Sequence, residues 1–149
     1  NQGSGRFREV AAVGPDLPRA LCGRALCVGD LDNDGRLDLL APDLDGEPLL
    51  LRNLTPGNRH WLRVRLVSRR VTEGARVVAR AGERIWRRRA GTGGSYLSAG
   101  DPRVHLGLEG HARLDELRVE WPGGGVTVRR DVPADQEVLV TEGATATPR

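Results

Sequence analysis

The chain has 149 residues, 38% hydrophobic and 29% charged, with a formal net charge of +3, which is room for one ordinary domain or two small ones. One Phe, one Tyr, three Trp and no Met leave Leu and Val to build most of the core, while twenty Gly and nine Pro favour short strands over helices. No apolar run reaches the length of a membrane-spanning helix, and although the pI is near 9.6, every basic residue is Arg and the arginines are scattered among apolar residues, as on solvated strand faces, which argues against a nucleic-acid surface.

In chain order, a weakly alternating segment to about Val13 reads as an outer strand and residues 14–18 as a proline-rich loop. Cys22 and Cys27 follow. On one extended segment they lie about 16 Å apart, at roughly 3.3 Å per residue, whereas a disulfide needs Cα atoms within about 7 Å. Cys27 alternates with Ala25 and Gly29 and is expected to be a buried free thiol. No Cys/His cluster suggests zinc.

Next comes Gly29-Asp30-Leu31-Asp32-Asn33-Asp34-Gly35-Arg36-Leu37-Asp38, between the short apolar runs Ala25-Leu26-Cys27-Val28 and Leu39-Leu40. Unpaired, its carboxylates would repel one another, so the spacing makes sense around a cation. Oxygen ligands from Asp30, Asp32, Asp34 and Asp38, with the Arg36 carbonyl between them, suit Ca²⁺, and Gly35 permits the sharp turn. An EF-hand would need a bidentate Glu where this chain has Ala41, and strands rather than helices flank the loop. The competing reading is an acidic turn without metal, since Asn and Asp-Gly favour turns. Residues 42–48 form a turn-rich connection, in which Asp43 and Asp45 lack further ligands, and Leu49-Leu50-Leu51-Arg52 is another strand.

The D-x-D-x-D-G-x-x-D loop, with Phe7-Arg8-Glu9-Val10 before it and Leu49-Leu50-Leu51-Arg52-Asn53 after it, resembles the calcium loop of FG-GAP/VCBS repeats. That resemblance implies that residues 1–54 make one blade of the integrin-type β-propeller kind. A chain that opens inside such a repeat is expected to be a fragment of a longer protein, so the lack of a visible signal peptide bears little on secretion.

The acidic composition ends at residues 55–58. The first 55 residues carry six arginines against nine acids, and the remainder seventeen against eleven. In residues 60–67, Leu62, Val64 and Leu66 share one face and Arg63 and Arg65 the other, a period of two. Residues 74–81 and 84–88 should pair across Ala81-Gly82-Glu83. Residues 91–95 read as a flexible loop. Residues 103–108, 114–121, 126–131 and 137–141 are further strands, with Pro122-Gly123-Gly124-Gly125 as a hairpin turn. Seven short strands predict a compact antiparallel sandwich or barrel over 57–142, and 143–149 read as a frayed tail.

Six short motifs in order carry a second resemblance: Asn58-Arg59-His60-Trp61-Leu62, Gly74-Ala75-Arg76-Val77, Gly94-Ser95-Tyr96-Leu97-Ser98, His105-Leu106-Gly107-Leu108, Leu117-Arg118-Val119-Glu120-Trp121-Pro122 and Val132-Pro133-Ala134-Asp135-Gln136. Together they resemble the ASPIC/UnbV domain, which follows FG-GAP repeats in the cartilage acidic protein family and its bacterial relatives. Glu73, Ala99 and Leu106 depart from the usual family residues at their positions.

For catalysis the candidates are few. No Ser or Cys sits in a nucleophile-elbow context. His105 reads as a hydrogen-bonded structural residue, and His60 and His111 as exposed. Residues 91–94 lack the Lys-Ser/Thr and the helix of a phosphate loop. Tyr96 and Trp121 read as core anchors, and a strand splits Arg87 and Arg89 from Arg88 onto opposite faces. The expectation is an all-β, non-catalytic, Ca²⁺-binding module with no catalytic residues. It would work outside the cytoplasm, extracellular, periplasmic or at the cell surface, in adhesion or in binding an unidentified protein or glycan. Self-association through an incompletely covered blade face is a further expectation. The alternative is a piece of an enzyme whose active site lies in or beside further blades.

Overall fold

The computed structural model describes residues 4–8, 21–57 and 59–143. The outer strand expected before Val13 and the loop at 14–18 lie largely or wholly outside these residues, as does the tail beyond Gly143. Among the described residues the chain is all-β, with ten strands in three sheets and no helix. There is accordingly no helix long and apolar enough to cross a membrane.

The first sheet holds β1 (Cys27–Gly29), β2 (Asp38–Ala41) and β3 (Leu49–Leu51), all antiparallel, with Gly29 opposite Asp38 and Leu39 opposite Leu51. The acidic loop joins β1 to β2, as its flanking apolar runs predict. Of the residues in these strands only Gly29 and Asp38 are buried; the leucines stay half-buried or exposed. Cys22 is exposed and Cys27 half-buried, and both are free thiols. The expected burial of Cys27 is therefore only partial, because this sheet has no fully covered face.

The seven predicted strands of the second region are all present. They are β4 (His60–Val67), β5 (Arg76–Ala81), β6 (Arg84–Arg89), β7 (Val104–Glu109), β8 (Arg113–Glu120), β9 (Val126–Pro133) and β10 (Gln136–Thr141). They form two sheets, β10-β4-β7 and β6-β5-β8-β9. Alternation sends Leu62 and Val64 of β4, Leu106 and Leu108 of β7 and Val140 of β10 inward against Val77, Ala79, Leu117 and Val119, all at most 1% exposed. Every member of the core cluster comes from residue 62 onward. Trp86 and Trp121 fill the remaining volume, and the Trp121 indole donates to Thr127 Oγ1 at 2.9 Å, which satisfies its buried N–H.

Three expectations change. β10 runs parallel to β4, from Gln136 beside Leu62 to Thr141 beside Val67. The link from β9 to β10 is only Ala134 and Asp135, and it carries the chain from one sheet to the other instead of reversing it within a sheet. Tyr96 is 71% exposed and not a core anchor, since tryptophans occupy the large core positions. Residues 91–103 are also more than a free loop: they return along β1, where Asp101 N donates to the Val28 carbonyl.

Leu106→Ala should lower unfolding free energy by about 3 kcal/mol, within the usual 2–5 for an emptied core site. Leu139→Ala, at a 51% exposed position of the neighbouring sheet strand, should change it by about 0.5 kcal/mol. Urea unfolding midpoints of the two variants check this.

Candidate functional site

The acidic loop takes its shape from two left-handed residues, Asn33 at φ 62° and Gly35 at φ 88°. Asn tolerates this region and Gly enters it freely. The turn is closed by Asp30, whose Oδ1 accepts from Asp34 N at 3.0 Å and whose Oδ2 accepts from Gly35 N at 2.9 Å. Asp38 sits at the exit, accepting from Leu31 N at 3.0 Å and from Asn53 N at 2.8 Å. Asp30 and Asp38 are each 2% exposed, and these backbone N–H groups satisfy them.

The two rim carboxylates meet arginines instead. Asp32 pairs with Arg52, whose hydrogen bond holds the Asp32 carboxyl below its ordinary range. Asp34 accepts from Arg36 N at 2.8 Å and pairs with the Arg36 guanidinium. Asp30, Asp32 and Asp38 each present a carboxylate oxygen, and the three lie within 4.8 Å of one another. Of the five residues expected at a metal, then, three carboxylates converge and Asp34 faces Arg36. The Arg36 side chain folds over the loop, with Nε also donating to Asn53 O at 2.6 Å.

What the sequence pattern hides is the surface that receives this loop. Arg63, expected on a solvated face of β4, is only 6% exposed. Its Nη1 donates to Asp30 Oδ2 at 2.9 Å and to Asn33 Oδ1 at 2.7 Å, and its guanidinium carbon lies 4.9 Å from the centre of the Trp61 ring. Gly35 presses on the same indole: a Cβ there would stand 2.1 Å from Trp61 Nε1. Gly35 is thus demanded twice, by its turn and by Trp61. Arg103 adds a fork to Asp101 and reaches Glu137 on β10 at 3.3 Å. Ser95 Oγ accepts from Leu26 N at 3.0 Å, and Ser98 Oγ donates to Leu26 O at 3.3 Å, fixing residues 91–103 along β1.

Asp101 and Arg103 lock this corner electrostatically. Burial pushes the Asp101 carboxyl up, but the hydrogen bonds and charge of Arg103, with the charge of Arg63, more than offset it and leave the pKa lowered. The same hydrogen bonds raise Arg103.

A cleft of about 800 Å³ opens beside the loop. Arg36, Arg59 and Arg88 stand around it, with Trp61, His105 and Asp135 among its other lining residues. His60 lies at its side and is half-buried, its Nδ1 donating to Asp135 Oδ2 at 2.6 Å. Asp135 in turn clasps Trp61, accepting from its N–H at 3.2 Å and donating to its carbonyl at 2.7 Å. The His105 ring lies nearly parallel to Trp61, 9° off with centroids 6.3 Å apart. Contrary to the hydrogen-bonded role expected of it, His105 Nδ1 is buried without a partner among the described residues, and burial lowers its pKa, so the ring is neutral at neutral pH. His111 is also half-buried, edge-on to Trp86 and bonded to Leu108 O.

Fold and site together define a β-sandwich that carries an aspartate-lined loop on the outer face of one sheet. Residues 68–147 match the family described as ASPIC and UnbV, more than half of the chain, and the chain belongs to that family. No curated protein matches it. The match begins after β4, yet β4 is the central strand of β10-β4-β7, so the structural unit starts earlier, at His60.

Two predictions follow from this geometry. Arg63→Ala strips a buried carboxylate of its cation and should cost about 3–5 kcal/mol, whereas Arg65→Ala, two residues along the same face but exposed beside Glu137, should cost under about 1 kcal/mol; urea unfolding separates them. For Asp101 the folded pKa is depressed, so its stabilisation is complete above the ordinary value near 4 and disappears as pH falls through the lower folded value. Melting temperatures between about pH 2 and 6 should fall less steeply in Asp101→Asn than in the parent chain.

Proposed function

We propose that the chain is a non-catalytic, calcium-binding module of a larger repeat protein, in which the β1-β2-β3 sheet serves as a blade of the FG-GAP/VCBS kind. The observation that carries the reading is the convergence of Asp30, Asp32 and Asp38 within 4.8 Å. The donor set fits: it consists of hard carboxylate oxygens with no sulfur or imidazole, as calcium prefers. Asp30, Asp32 and Asp38 would hold the ion, with Asp34 and the Arg36 carbonyl completing the set once Asp34 exchanges its arginine for the metal. Calcium would supply charge neutralisation and a cross-link between the ends of β1 and β2. Calcium sites of extracellular modules bind at about 0.1–1 mM, which suits an extracellular, periplasmic or cell-surface setting where calcium reaches that range.

Adhesion or capture of a protein or glycan is the role that fits such a module. The exposed apolar side chains of the first sheet and its surroundings, Val28, Leu37, Leu44 and Leu50 among them, support burial against a further blade or a second copy of the chain. The enzymatic alternative draws on the His60–Asp135 pair at the cleft, but among the described residues the cleft lining contains no serine or cysteine to act as a nucleophile, Thr55 being its one aliphatic hydroxyl.

Titrating Ca²⁺ to about 10 mM should raise the melting temperature, by a stabilisation of about 1.4–2.7 kcal/mol if saturation runs 10- to 100-fold over Kd. Asp32→Ala, at the exposed rim, should abolish the shift and keep the fold. A parent melt indifferent to calcium would overturn the reading.

A further inference from the structure

We propose that the cleft beside the acidic loop binds an acidic carbohydrate, a saccharide bearing carboxylate or sulfate groups. Its volume, about 800 Å³, lies in the range that encloses a small ligand. Its charges are unequal in availability. Asp34 and Asp135, the acids of the lining, are engaged by Arg36 and His60. Arg59 and Arg88 are exposed and make no ion pair among the described residues; Arg88 donates only to a neighbouring carbonyl. Most other arginines of the sandwich, Arg63, Arg65, Arg76, Arg80, Arg84 and Arg113 included, have a carboxylate partner. Two guanidinium groups without an ion pair among the described residues therefore border this concave surface; Arg87 and Arg89, also without one, line a separate hollow on β6 that has no aromatic ring in its lining.

The lining between them supplies what a sugar needs. Trp61 and His105 line the cleft with near-parallel rings; Arg63 and Gly35 already lie against the indole, and the ring surface left over can meet the C–H face of a pyranose. The half-buried His105 keeps a neutral imidazole there as a packing surface; its partnerless Nδ1 is closed to solvent and is not among the groups offered to hydroxyls. Asn53 and the His60–Asp135 pair bring polar groups to the same cleft for hydroxyls. Guanidinium forks take carboxylate or sulfate oxygens in pairs, which gives the ligand its acidic character. A nucleic acid would require a continuous basic track; here the cations surround a bounded cleft whose own lining includes acids.

The test is calorimetric titration of the full chain with a tetrameric oligogalacturonate, a heparin tetrasaccharide, a neutral maltotetraose and a short single-stranded oligonucleotide. Both acidic saccharides, or one of them, should bind, and the neutral sugar should not. The Arg59→Ala/Arg88→Ala pair should weaken binding by about tenfold or more, since each replaced group removes a charge-assisted hydrogen bond. The Arg87→Ala/Arg89→Ala pair removes the same charge from the β6 face turned away from the cleft and should leave affinity within about twofold. Equal losses in the two pairs, equal binding of the oligonucleotide, or no saccharide binding up to about 10 mM, well beyond the millimolar affinities of weak sites, would each overturn the proposal. Titrations run in EDTA and again in millimolar calcium separate this site from the metal: a melt indifferent to calcium with saccharide binding intact would sink the metal reading alone.

Discussion

The contact between Arg63 and Asp30 is the constraint to which the rest of the junction answers. Both side chains are almost completely removed from water, and an ion pair in that setting depends on how well the remaining donors and acceptors are met. Asp30 meets this with the Asp34 and Gly35 amides; Arg63 has Asn33 and the face of Trp61, while its buried Nε has no hydrogen-bond partner among the described residues and stands 3.9 Å from the Glu137 carboxylate. The shape of the loop and the chemistry of the β4 outer face are consequently one problem. Turning the loop elsewhere would leave a guanidinium and a carboxylate buried without each other, and moving Trp61 would remove the seat of Gly35.

The four aspartates divide into two pairs with different physics. Asp30 and Asp38 are interior groups, solvated by backbone amides, and they maintain the turn whether or not a cation is near. Asp32 and Asp34 are rim groups held by Arg52 and Arg36, in partly exposed pairs that water and salt weaken. The rim pair is thus neutralised by arginines that solvent reaches, whereas Asp30 shares its charge with the buried Arg63.

Much of the fold could be read from alternation. The seven sandwich strands, the turn at residues 122–125 and the core positions Leu62, Val64, Leu106, Leu117 and Val119 follow from period two with Gly and Pro between runs. What could not be read is the partner of an outward face. Arg63 and Arg65 have the same pattern in sequence, but one is interior and the other exposed, because a loop 30 residues upstream covers only the first. The parallel seating of β10 was hidden for a related reason: a short link between strands suggests antiparallel neighbours, and only the closure of two sheets reveals it as a corner. The short family motifs had a signal that could have been used. Trp61, Ser95, Ser98, His105 and Asp135, quoted from four separate motifs, all meet at the junction of loop, first sheet and sandwich.

The parallel pairing of β4 with β10 also sets an order of events. β4 leaves the ribosome some seventy residues before the strand that completes its sheet, and β10 brings Glu137, the carboxylate that meets Arg65 and Arg103. Until then β4 has an open edge, and Arg65 and Arg103 lack this counter-charge. Contacts so distant in sequence make for slow folding and long exposure of unpaired strand. When β10 docks, one strand closes the edge of β4 and its Glu137 brings the counter-charge for arginines from two separate segments of the chain.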